Sequence, residues 1–365
     1  MKKARDSRFE LLRIIAMIMI VSFHAFNQIG SYDVSANRYI MLKDETGFSV
    51  NFLGLTVLGS WGITGVGCFF LIAAYFLQKK NCYSTVKALK IVFQTIFWAL
   101  IMLFAAKILG AIPHYESFGL KLIAKAVIAP LIDEYWYIPS YLLMYILSPF
   151  MNTIIEKLEL DFYKRLIVVL TLIIPVYSTV FYKDIAVCCV VLAVYYYLLW
   201  GYLKQTEGNF FERNAKIIFV ISATFIIALA SLGYAFGFYN AVITRLCGRF
   251  SGFQVLTALS LFYIFKNKDV PSNKYINFIA SGTLGVYLIH ENPYFRFYLW
   301  NDIFKLYDRF DKPYFLVIFI LAVLLVFIIS ALLDIVRGYL FDKTLNKALK
   351  CMGKYFERFD KYING

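Results

Sequence analysis

Residues 8–24 read RFELLRIIAMIMIVSFH, an apolar run of bilayer-spanning kind that nevertheless carries Glu10, Arg13 and, at its far end, His24. A charged group at the bilayer centre costs roughly 2.5–3.5 kcal/mol on insertion scales, so such residues call for a reason. Glu10 precedes Arg13 by three positions and can pair with it on one helix face, which lowers the cost of both charges. Arg13 and His24 are eleven positions apart, which returns to within about 20° of the same face and separates them by roughly 16 Å along the axis. One stripe therefore holds a guanidinium and an imidazole at two depths.

Working outward, the 365 residues are 61% hydrophobic, 19% aromatic and 16% charged, the balance of an integral membrane protein. The formal charge of +14 does not indicate nucleic acid, because the Lys and Arg sit between apolar runs rather than on a basic face. Six cysteines lack CxxC or Cys/His spacing, so no zinc site or disulfide framework is indicated, and no metal constellation is visible. The basic start MKKARDSRFE precedes an apolar run without a small-residue cleavage site, and is read as a retained first membrane helix.

Windows of about 20 apolar residues predict an all-α fold, a polytopic membrane helix bundle of about ten transmembrane helices: roughly 9–29, 52–77, 88–109, 135–155, 165–182, 185–203, 216–236, 250–265, 276–299 and 314–336. With the N-terminus inside, the inner segments hold about twice as many Lys and Arg as the outer ones, which places both termini in the cytoplasm. Residues 1–338 form the expected transmembrane domain, and 339–365 a cytoplasmic amphipathic basic tail lying on the inner leaflet as a short helix. No connecting segment is long enough for a folded domain, so the bundle itself must hold the function.

An arginine near the inner mouth suits a phosphate-bearing ligand, because its planar fork bonds phosphate oxygens and stays charged. A histidine deeper in suits proton transfer. Acyl-CoA carries phosphates at one end and a thioester at the other, and would use both. Against this stands the plain alternative that Arg13 snorkels to headgroups and His24 bonds a neighbouring helix. His290 is the second intramembrane histidine, followed by Glu291, at a depth similar to His24: either both face the acceptor, or His290 satisfies an interhelical hydrogen bond and Glu291 sits at the helix end; Pro293 is placed to kink the helix. Glu134, Trp136 and Tyr137 open the fourth span and are either acceptor-facing or ordinary belt residues. His114, beside Pro113, reads as solvent-facing polarity, and Arg245 and Arg249 either meet headgroups or attract an anionic acceptor.

The opening helix resembles that of the acyltransferase-3 family, integral membrane acyltransferases marked by an arginine, ten residues and a histidine, the spacing of Arg13 and His24. GVGCFFLIAAYFLQKK resembles the family's second-helix block, EYWYIPSYLLMYILSPFMN its Trp-Tyr helix, and SGTLGVYLIHENP its late Tyr-Leu-x-His segment, so the resemblance spans nearly the whole chain. Ala73-Ala74 stands where the family usually has Ser-Gly, which leaves that serine's role unfilled here.

The resemblance implies a membrane-bound O-acyltransferase moving acetyl from cytosolic acetyl-CoA to a hydroxyl of a cell-surface or lipid-linked glycan. His24 then acts as general base or accepts the acyl group, with His290 and Glu291 beside the acceptor; Arg13, oriented by Glu10, holds the CoA phosphates. No permanently bound cofactor is expected. The expected partners are membrane lipids, the glycan acceptor, acyl-CoA and envelope-biosynthesis proteins, in a bacterial cytoplasmic membrane. Because the chain ends soon after the tenth window, transfer is expected to finish in the bundle or on a separate protein. The rival readings are a transporter or flippase of a lipid-linked glycan and a non-catalytic envelope relative.

Overall fold

The computed structural model describes residues 5–33, 38–42, 49–80, 82–112, 116–181, 189–206, 208–236 and 238–364; His114 and Cys188 lie outside these. The stretch that opens the sequence is one helix, α1 (Ser7–Gln28), started by Asp6, whose carboxylate accepts a hydrogen bond from the Arg8 amide at 3.2 Å. Beyond it the backbone becomes extended and forms a small hairpin, β1 (Gly30–Asp33) and β2 (Arg38–Met41), with Gly30 opposite Met41.

The chain then continues as helices. α2 (Val50–Gly59) and α3 (Gly62–Lys80) are separated by a break at Ser60 and Trp61, and α4 (Thr85–Ile108) and the short α5 (Leu120–Ile128) follow. α6 (Tyr137–Lys157) precedes α7 (Leu160–Thr171), which runs through a π-turn at Leu172–Val176 into α8 (Tyr177–Phe181). Pro175 lies inside that turn and removes a ladder donor, the usual origin of such a bulge. α9 (Val190–Leu203), α10 (Phe210–Arg213), α11 (Ala215–Ala235), α12 (Tyr239–Cys247) and α13 (Gly252–Lys266) follow. The last elements are α14 (Lys274–Ala280), α15 (Thr283–His290), α16 (Arg296–Tyr298) and α17 (Phe315–Asn364).

Among the described residues, seven helices are long and apolar enough to cross a membrane, and each coincides with one of the ten sequence windows. The other three windows give something shorter. α9 and α13 have 14 and 15 residues, about 21–23 Å against a hydrocarbon core of about 30 Å. The window 276–299 is divided into α14, α15, a turn and α16. The last window does not stop at 336: α17 continues without a break for 50 residues, so the predicted tail prolongs the final helix. Its end meets the start of α4, where Asp360 accepts from the Thr85 amide at 2.9 Å and Asn364 exchanges two hydrogen bonds with the Tyr83 backbone, at 2.6 and 3.0 Å.

The bundle is apolar on its outside as well as its inside. Ile217, Val220 and Ile221 on α11 and Ile320, Leu321, Leu325 and Ile328 on α17 are exposed, as lipid-facing side chains must be. The buried core carries aromatic and small residues, and close helix contacts rest on glycine: a Cβ at Gly65 of α3 would lie 2.5 Å from the Ala16 carbonyl oxygen of α1. That contact fixes α1 against α3. α1 also packs on α13, α15 and α17, which makes it the central helix of the bundle.

Candidate functional site

α1 delivers His24, and the end of α15 delivers His290 and Glu291. His24 Nδ1 lies 2.9 Å from His290 Nε2, bringing together two residues 266 positions apart. The same Nδ1 lies 3.1 Å from Glu291 Oε2. His290 is fully buried, and the side chain of His24 keeps 14% of its surface open.

The partners decide the proton positions. His290 Nδ1 is hydrogen-bonded to the Val286 carbonyl oxygen, which can only accept, so this nitrogen carries the proton and Nε2 of the neutral ring is an acceptor. His24 Nδ1 must then be the donor between the two rings. Glu291 Oε2, a second acceptor beside the same nitrogen, favours that tautomer too. His24 Nε2 is left with an available lone pair, the atom that takes a proton or attacks a carbonyl.

The corner that carries this pair is built by local chemistry. α15 ends at His290, and Glu291 is its C-cap. Asn292 Oδ1 accepts from the Tyr294 amide at 3.1 Å, an Asx turn around Pro293, whose missing N–H and fixed φ prevent the helix from continuing. The predicted kink is thus a stop. Tyr135 holds the corner from the other side: its hydroxyl donates to the Leu288 carbonyl oxygen at 2.9 Å and accepts from Asn292 Nδ2 at 3.0 Å.

Two participants escaped the sequence reading. One is Tyr135, adjacent to the predicted Trp136 and Tyr137. The other is Arg296, whose guanidinium donates to Glu291 Oε1. On a continuous helix, five residues would place Arg296 about 140° away from Glu291; the turn after His290 brings them together. His24, His290 and Glu291 also offer ligand atoms within 4.8 Å of one another, a spacing a metal ion could use. The donor set does not favour one: both His290 nitrogens are engaged, and the Arg296 cation sits on the carboxylate.

At the other level of α1, Arg13 Nη1 donates to Glu10 Oε1 at 2.9 Å, the predicted pair. Glu10 is buried and its Oε2 has no protein hydrogen-bond partner, while the Arg13 side chain is 30% open. Arg13 is within electrostatic reach of Tyr137 and Tyr141 on α6. Tyr137 also joins the two levels of the site: its ring lies 6.1 Å from that of Tyr287, which in turn lies 6.3 Å from His24. Trp136 points elsewhere, under Arg249 at 5.1 Å, and Glu134 is half-buried on the short turn before α6. Among the predicted residues, His24, His290 and Glu291 therefore form one cluster, Glu10 and Arg13 a second, and Tyr137 stands between them.

Exchange of the Glu291 carboxylate for an amide tests its part in this cluster. Glu291→Gln removes the charge that would stabilise an imidazolium at His24 and allows the amide NH₂ to face Nδ1, favouring the wrong tautomer. We expect the rate of a reaction that uses His24 as its base to fall by at least about 10²-fold, as when the carboxylate behind a catalytic imidazole is neutralised. Initial rates at matched protein levels decide it, and an unchanged rate would separate Glu291 from the chemistry.

No curated protein and no solved structure matches the chain. The model of the acyltransferase-3 family, described as an acyltransferase domain, matches residues 6–334, from the N-cap of α1 to Asp334 in α17. A match of that length, on a multi-pass bundle in which α1 sets an arginine and a histidine eleven residues apart, makes this chain a member of the acyltransferase-3 family of membrane acyltransferases.

Proposed function

We propose that the protein transfers an acyl group, acetyl in the first instance, from cytosolic acyl-CoA to a hydroxyl of a cell-surface or lipid-linked glycan, working in the cytoplasmic membrane of a bacterium with both termini inside. The observation that carries the reading is the tautomer of His24: Nδ1–H is held by His290, with the Glu291 carboxylate 3.1 Å away, which leaves the lone pair on Nε2. Nε2 takes the proton of the acceptor hydroxyl as its oxygen attacks the thioester carbonyl. The tetrahedral intermediate then collapses, the C–S bond breaks, and the departing CoA sulfur receives that proton from His24. Glu291, anchored by Arg296, stabilises the transient imidazolium, and His290 keeps the ring oriented. Arg13, roughly 16 Å along the same helix, meets the phosphates of the donor. The reaction calls for a glycan acceptor and surrounding membrane lipids as partners, with envelope-biosynthesis proteins as suppliers of the acceptor.

Inverted membrane vesicles incubated with acetyl-labelled CoA test the reading. Label should enter glycan or lipid-linked material only when the protein is present and should saturate with donor. Movement of a lipid-linked glycan without covalent labelling would instead support a flippase, and ligand binding without turnover a non-catalytic relative.

A further inference from the structure

Past Val336, where its apolar run ends, α17 continues to Asn364, and the histidine site uses none of this stretch. One face of it is held by the bundle. Asp360 accepts from the Thr85 amide at 2.9 Å, Asn364 bonds the Tyr83 backbone, and a Cβ at Gly353 would lie 3.9 Å from Val86 Cγ2. Leu349, 1% exposed, falls with Gly353, Asp360 and Asn364 within about 60° of helix turn. Residues 83–86 are where α4 begins, and α4 is one of the helices long and apolar enough to cross the membrane. The tail therefore starts at the end of one span and has its last turn at the start of another, which keeps it at the level of the membrane surface.

The rest of its circumference is open and divides into two stripes of different chemistry. Met352, Tyr355, Phe359 and Tyr362 recur at three- and four-residue intervals within about 80° of one another, and are 43%, 83%, 44% and 80% exposed. Lys343, Lys347, Arg358 and Lys361 form a second exposed stripe, within about 60°. None of these four cations pairs with a carboxylate among the described residues. The acids keep to the other side: Asp342 and Asp360 share the face turned to α4, and Glu357 lies between that face and the lysines.

A basic stripe alone is the ordinary solvated face of a helix that follows a span. The apolar stripe does not follow from that, because four large side chains in one line would stand in water. Rings with an apolar body and a hydroxyl tip, beside cations on long apolar stems, suit a helix seated among lipid headgroups, with its rings in the acyl boundary and its cations at the phosphates. We propose that residues 339–364 bind the anionic phospholipid headgroups of the surface on which α4 begins. The face turned to α4 fixes the roll of the helix: with Asp360 and Asn364 on Thr85 and Tyr83, the aromatic stripe enters the bilayer and the lysine stripe meets lipid phosphates. The inference is independent of the acyl-transfer reading, since it uses no residue of the histidine site.

The test uses the purified full chain in vesicles of phosphatidylcholine alone or of equal parts phosphatidylcholine and phosphatidylglycerol. Two exposed cysteines supply the readout: Cys351 lies between the two stripes, and Cys82 just before α4. The rate at which a small neutral maleimide modifies Cys351 is divided by the rate at Cys82, so that surface potential and local pH, which act on both, cancel. Phosphatidylglycerol should lower this ratio at least about fivefold, the contribution of one cation at an anionic surface, and high salt should restore it. The variant Lys343→Gln/Lys347→Gln/Arg358→Gln/Lys361→Gln should show the same ratio in both vesicles. Should it fold poorly, the pair Lys343→Gln/Lys347→Gln, away from the Asp360 contact, should lose most of the response. A native ratio that does not change with phosphatidylglycerol overturns the proposal, as does a response that the glutamine variants retain. A ratio that follows the amount of protein per vesicle and not the anionic lipid also overturns it, because a second copy of the chain would then cover this face.

Discussion

Replacing His24 with alanine lowers the rate of acyl transfer by about 10²–10⁴-fold, the span typical of a general acid–base group, and leaves the bundle folded. The size of the effect follows from the site's construction. His24 has the only available imidazole lone pair of the cluster, because His290 uses Nδ1 on the Val286 carbonyl oxygen and Nε2 on His24 itself. No neighbour can take over its proton. Removal leaves the Glu291 carboxylate still paired with Arg296, so the loss is chemical more than structural. Rates of label transfer for the native chain and His24→Ala, at equal protein levels and with thermal unfolding followed in parallel, decide the matter. Equal rates would remove His24 from the mechanism; loss of rate with loss of folding would be resolved by His24→Gln, which retains a donor toward His290 but no base.

The second large effect is on stability and lies away from the histidines. Asp334 of α17 is 3% exposed, and its carboxylate accepts from Gln94 Nε2 at 2.9 Å, Trp98 Nε1 at 2.7 Å and Arg337 Nε at 2.7 Å. Gly285 of α15 passes so close that an added Cβ would clash with the Asp334 side chain. The residue therefore joins α4, α15 and α17 one to two turns before His290. Asp334→Ala leaves the Trp98 and Gln94 donors unsatisfied and weakens the hold on Arg337, which keeps Asp342 at 3.0 Å. With that partner retained, the expected cost is about 3 kcal/mol, the lower end for breaking a buried ion pair. It should appear as a lower unfolding midpoint in detergent, and Asp334→Asn, which keeps an acceptor, should lose less. An unchanged midpoint for the alanine variant would show that the network contributes no net stability.

These two predictions draw on different kinds of information. Arg13, Glu10 and His24 lie on one helix, so spacing alone orders them: an i,i+3 ion pair and an eleven-residue stripe are properties of any α-helix, and the structure shows Arg13 on Glu10 as that spacing requires. Membrane residence was equally legible, since hydrocarbon selects residues by composition and length. The count of spans was less so, because hydropathy does not register where a helix stops. The windows over α9, α13 and 276–299 are apolar enough, yet these helices are short or broken.

What hydropathy and spacing could not give is every relation between distant segments. His290 was visible as an intramembrane histidine, but its pairing with His24 depends on α15 packing against α1, a contact across 266 residues. The role of Arg296 depends on the chain turning at Asn292 and Pro293, since helical spacing would have carried it away from Glu291. Asp334 reads in sequence as one acid near the end of a span, and only the arrival of Gln94 and Trp98 makes it a junction. The sequence by itself determined membrane residence, seven of the spanning helices and the order of Glu10, Arg13 and His24 along α1, because these follow from periodicity and solvent preference within one segment. Only the tertiary structure decided which nitrogen of His24 is free, because a tautomer is set by the acceptors around it, and those come from another helix.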